Sequence, residues 1–212
     1  MTRVLDPVER SSEVLFGVIM VLTFTGSISV AEGGEAETRT VLAGAIGCNL
    51  AWGIVDGAMY LMMSFIERAR GLMMLRAVRE AAEGDAAQRL IRAALPSPVS
   101  AALTAPEIDT LHRRLREQPE VPARVSLSRE DLLGAFAVFL LVFASTFPIV
   151  IPFFVVPQPA TALRVSNLIA IAILFVSGWS LGAHAGRPGW RAGLTTVVVG
   201  VVLMAITMAL GG

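Results

Sequence analysis

The sequence predicts an all-α integral membrane protein, with five transmembrane helices and a cytoplasmic helical insertion between helices 2 and 3. Three observations carry that expectation. The chain is 55% hydrophobic and 16% charged, with a mean hydropathy of +0.70, too apolar for an ordinary soluble domain. Its apolar residues fall in blocks, each near the ~20 residues a helix needs to cross a bilayer, rather than in the stripe of a soluble helix. Arginine gathers between alternate blocks, which is the charge bias of membrane-spanning chains.

The first block covers residues 14–31. Its end, Ser29-Val30-Ala31, has the small-x-small form of a signal cleavage site. The segment ahead of it carries Asp6, Glu9 and Glu13 against Arg3 and Arg10, so it is not a basic n-region. The apolar run also exceeds the ~7–15 residues of a signal core, and the segment is expected to be retained. The second block is residues 41–66, and the remaining three are 132–156, 163–183 and 192–210. Arg68, Arg70, Arg76 and Arg79 follow the second block, Arg124 and Arg129 precede the third, and Arg187 and Arg191 separate the fourth from the fifth. The first connection instead carries Glu32, Glu35 and Glu37 with Arg39, and the third connection has only Arg164. This bias places the N-terminus and the insertion in the cytoplasm and the C-terminus outside, in a bacterial inner membrane.

The chain divides into residues 1–66, 67–128 and 129–212. In the insertion, residues 67–83 continue the second span as a helix with Leu72, Leu75, Val78 and Ala82 at helical spacing. A second helix, residues 86–95, is expected to stop at Pro96-Ser97-Pro98. A third starts at Thr104, where Glu107 completes a capping box and Pro106 sits in the first turn. It stops before Pro119 and Pro122, and a second capping pattern, Ser128 and Asp131, launches the third span.

Asp56 is the one charged residue in residues 41–66. A carboxylate there costs at least ~2.5–3.5 kcal/mol to insert and normally faces protein, water or a cation. Asn49, Trp52, Asp56, Met59 and Met63 recur at intervals of three and four, which puts them on one helix face. Oxygen and thioether ligands together suit ferrous iron or manganese. The same face also reads as a packing seam, where Gly44, Gly47, Gly53 and Gly57 allow close approach and Asn49 bonds across. Pro148 and Pro152 interrupt the third span, as a kink or as a broken helix on an ion path. Thr25 and Ser29, one turn apart on the first span, can bond back to their own helix. Cys48 stands alone and reads as a small packing residue. His112 and His184 have no metal-pair spacing and are expected at the surface or at an interface. Net charge is zero and all 17 basic residues are arginine, so no global field points to nucleic acid. No Walker loop, HExxH, GxSxG or dinucleotide fingerprint is present, and an enzyme is not expected.

The arrangement resembles the vacuolar iron transporter family. The likeness is carried by Phe147-Pro148-Ile149-Val150-Ile151-Pro152-Phe153-Phe154, Val165-Ser166-Asn167, Ala172-Ile173-Leu174-Phe175 with Gly178, and Gly186-Arg187-Pro188-Gly189-Trp190-Arg191-Ala192-Gly193-Leu194. Gly200 and Ala209-Leu210-Gly211 extend it, and Ser12-Glu13-Val14-Leu15-Phe16-Gly17 is a weaker match. The resemblance implies a homodimer that exports divalent iron and manganese from the cytosol in exchange for protons, with no resident cofactor. The family's first-span Asn-Asp-Gly motif is absent here, Met20 standing at the aspartate position, and the only Asp-Gly pair in the membrane is Asp56-Gly57. By that resemblance the metal-handling residues are Asp56, Met59, Met63 and Asn49, with Glu80 and Glu83 as remnants of the family's glutamate-rich insertion. The alternative is a non-transporting membrane protein that keeps the fold and docks a partner through its arginine-rich insertion.

Overall fold

The computed structural model describes residues 5–28, 35–81, 84–118 and 124–209. Those residues are helical throughout their ordered elements: α1 (Pro7–Ile28), α2 (Glu35–Glu80), α3 (Asp85–Ala94), α4 (Ser97–Ala102), α5 (Ala105–Glu117), α6 (Arg129–Val150), α7 (Pro152–Val155), α8 (Pro159–His184) and α9 (Gly189–Ala209). The chain forms two compact units. One comprises Met1–Leu61 with Arg129–Gly212, the other Met62–Ser128.

Four stretches among the described residues are long and apolar enough to cross a membrane: Leu42–Glu80, Arg129–Val155, Pro159–His184 and Gly189–Ile206. The first expected span, residues 14–31, ends outside the described residues, as does the end of the fifth at Leu210. Within the first unit α1 packs against α6, α8 and α9, and α8 lies along α9. Val18, Val21 and Leu22 of α1 share one core with Leu42, Ile149, Val150, Ala170 and Leu174. The bundle is therefore built around α1, while α9 and the outer faces of α2, α6 and α8 keep large apolar side chains exposed. Such faces suit lipid, which replaces the water a soluble surface would meet.

The proline motif resolves into a helix break. Pro148 is carried inside α6, and the Ile151 N–H still reaches the Phe147 carbonyl at 2.9 Å. Pro152 has no N–H to give, so the helix stops at Val150 and restarts as α7. A helix end leaves its last carbonyls without partners. The Ser166 hydroxyl of α8 fills that need at Ile149, donating at 2.7 Å, so protein rather than a cavity receives this carbonyl. At the other end of α8, Gly186 takes φ 68°, a conformation that L side chains rarely adopt, and the Arg187 N–H returns to the Gly182 carbonyl at 2.9 Å. That turn sends the chain straight into α9.

The second unit packs the far part of α2, α3 and α5 around Val78, Ile91 and Ile108. The capping box is present: the Thr104 N–H and hydroxyl both donate to the Glu107 carboxylate, at 2.8 and 2.7 Å. Two expectations are corrected here. The Pro96-Ser97-Pro98 stop is also a start, because proline is tolerated in a helix's first turn, and α4 follows from it. His112 is buried, only 3% exposed, and its Nε2–H donates to the Val78 carbonyl at 2.8 Å. Val78 lies in the last turn of α2, where a free carbonyl needs a donor.

Candidate functional site

Two contacts fix how α1 and α2 run past one another, and one electrostatic relation agrees with them. The Asn49 side-chain amide donates to the Gly17 carbonyl at 3.2 Å. Phe16 and Trp52 meet edge to face, with ring centroids 5.8 Å apart. Glu13 lies within electrostatic reach of Asp56. As the α1 number falls, the α2 number rises, so the helices are antiparallel and the two carboxylates occupy successive steps of one ladder. Helical spacing of three and four keeps Asn49, Trp52 and Asp56 on one side of α2, and Glu13 lies three and four residues from Phe16 and Gly17 on α1.

α6 forms the third wall. Asn49 also donates to the Thr146 hydroxyl at 2.6 Å, tying α2 to α6 as well as to α1. Gly53 and Gly57 allow that approach: a Cβ on Gly57 would stand 3.0 Å from the Ala135 carbonyl, and one on Gly53 would stand 3.1 Å from Phe139. Gly47, by contrast, meets open space. The seam is thus used on the Gly53–Gly57 side only.

Asp56 sits at this junction half-buried, and its Oδ2 is enclosed without a hydrogen-bond partner. An enclosed carboxylate oxygen with no donor is costly, and a proton or a cation offsets it. Glu9, one turn before Glu13, adds its field to the pair, but its Oε2 already accepts the Asp6 N–H at 2.9 Å. Among the described residues no three His, Cys, Asp or Glu side chains gather as a ready-made metal cage. What the arrangement offers is one enclosed, unpartnered carboxylate oxygen with a second carboxylate within electrostatic reach.

The residues singled out from sequence separate here. Asn49 is 1% exposed, and its amide is spent on helix-to-helix bonds, as the packing reading anticipates. Met59 and Met63 lie on the exposed side of α2, and Met63 belongs to the second unit. Glu80 is an exposed residue of the second unit, and Glu83 lies outside the described residues. Glu13 is the residue sequence reasoning missed. It stands one position ahead of the apolar block, where it counts as a leader charge, although it lies three and four residues from Phe16 and Gly17, on their side of the helix.

The insertion's arginines also acquire a role. Arg79 donates to the Arg116 and Gln118 carbonyls at 3.5 and 3.2 Å, and Arg92 to those of Ser100 and Leu103 at 2.6 and 3.2 Å. Arg68 reaches the Ser126 carbonyl and the Ser128 hydroxyl, each at 3.3 Å. These guanidinium groups close helix ends and loops inside their own unit.

Apolar helices of spanning length define an integral membrane protein. The chain belongs to the VIT family, whose model matches residues 74–212. That family comprises metal transporters of the iron and manganese kind rather than enzymes. The match covers the end of α2, the insertion and α6 to α9, and begins after Glu13, Asn49 and Asp56. No curated protein matches the chain.

Proposed function

We propose that the protein carries a divalent transition-metal cation, iron or manganese, out of the cytosol in exchange for protons, and that Glu13 and Asp56 form the station where cation and proton alternate. The enclosed, unpartnered Oδ2 of Asp56 beside Glu13 is the observation that supports this most. Two carboxylates within electrostatic reach of each other favour a divalent cation when ionised and release it when protonated, which couples the two flows. Asn49 holds the three helices in register and is not a ligand. In this reading α1 is the fifth span, the N-terminus is cytoplasmic and the C-terminus is outside, in keeping with the arginine distribution.

A homodimer fits the face α2 presents outward. Gly44, Gly47, Ala51 and Ala58 are exposed there, and small residues let helices of two copies approach closely in lipid. Met59 on that face would stand beside the second copy, as a soft donor at the edge of the path. The test is manganese and ferrous-iron flux in proteoliposomes under a proton gradient. Wild-type protein is expected to transport and Asp56→Asn to lose flux; a wild type that carries neither ion would overturn the proposal.

A further inference from the structure

We propose that the depression at the arginine-rich end of α1, α6 and α8 holds the headgroup of an anionic phospholipid. It has a volume of about 390 Å³ and is walled on one side by Val14, Leu141 and Val176 and on the other by Arg10, Ser180 and His184. The division is that of a lipid: apolar surface for the upper acyl chains, basic and hydroxyl groups for a phosphate.

The charges support an anion. The Arg10 guanidinium makes no hydrogen bond or ion pair among the described residues. Two of the acids near in sequence are engaged by backbone: Asp6 Oδ1 accepts the Val8 and Glu9 N–H groups, and Glu9 Oε2 accepts the Asp6 N–H. The Ser11 hydroxyl bridges α1 to α8, reaching Ser180 Oγ at 3.2 Å. His184 donates from Nδ1 to the Ser180 carbonyl at 2.7 Å, which fixes the ring, and as the imidazolium its Nε2–H is a donor for a phosphate oxygen.

The surroundings place this depression at the level of a membrane surface. Trp179 and Trp190 are 48% and 51% exposed near the same end of α8 and α9, and the Arg191 guanidinium lies 5.2 Å from the centre of the Trp190 ring. Exposed tryptophan beside arginine marks the headgroup level of a bilayer. Val176 is 65% exposed one turn ahead of Ser180, so an acyl chain continuing from the phosphate meets apolar surface at once.

Native mass spectrometry of the full chain, titrated with phosphatidylglycerol, phosphatidylcholine or inorganic phosphate, tests the assignment. Phosphatidylglycerol is expected to bind in preference to phosphatidylcholine, and millimolar phosphate is expected not to compete. Arg10→Gln is expected to weaken phosphatidylglycerol binding about fivefold, the worth of one basic residue at a membrane surface. Adding His184→Gln should weaken it further, and Val176→Trp, which fills the depression without touching a charge, should weaken it too. Arg187→Gln, outside the depression, should leave it unchanged. Equal binding of the two lipids, equal loss in Arg10→Gln and Arg187→Gln, or phosphate binding as tight as the lipid would each overturn the site.

Discussion

Glu13 of α1 and Asp56 of α2 lie within electrostatic reach of each other, one step along the antiparallel ladder from the Phe16–Trp52 ring pair. Asn49, one step further, is what keeps the ladder in register.

Asn49→Ala removes both amide bonds and leaves the Gly17 carbonyl and the Thr146 hydroxyl facing a gap. The expected loss is about 1–3 kcal/mol of stability, the worth of buried hydrogen bonds between helices. It should appear as a lower melting temperature in detergent. Flux per folded molecule should hold, which separates a helix tie from a metal ligand.

Gly57 abuts the Ala135 carbonyl, with 3.0 Å between that oxygen and an added Cβ. Gly57→Val is expected to push α2 off α6 at a cost of about 1–3 kcal/mol. Because Asp56 is the neighbouring residue, flux should fall together with thermal stability.

The fold was largely legible because membrane helices are written in long apolar runs. The arginine bias, the capping box at Thr104 and the continuation of the second span past residue 66 all read from local pattern. Asp56 was legible for the opposite reason: a lone carboxylate in such a run stands out. Glu13 was not, because a charge at the edge of an apolar block looks like an ordinary flanking charge until the partner helix is in place. The same holds for Arg79 and Arg92. In sequence they read as part of an arginine-rich docking surface, whereas their carbonyl partners are supplied only by the folded insertion.

His112 was misread for a related reason, since nothing local to it announces the Val78 carbonyl. His112→Ala is expected to cost the second unit about 2–3 kcal/mol, from one lost buried hydrogen bond plus the cavity left behind. Faster proteolysis within residues 62–128, with the remaining helices intact, would record it.

Glu107 is held below the usual carboxylate range by the Thr104 N–H and hydroxyl that donate to it. A lowered value in the folded state means this contribution is fully present above the ordinary glutamate range and is lost as pH falls through the folded value. Carboxyl-carbon NMR should find Glu107 titrating below the ordinary glutamate range. Thr104→Val, which removes the hydroxyl, should move it part of the way back.

The central claim is that Glu13 and Asp56 act as one station. Its most direct test is manganese flux in proteoliposomes for wild type, Glu13→Gln, Asp56→Asn and the double variant under the same proton gradient. Groups that act as a unit are strongly non-additive, so each single variant should lose at least about tenfold and the double variant little more. Losses that multiply independently, or a Glu13→Gln protein with wild-type flux, would contradict it.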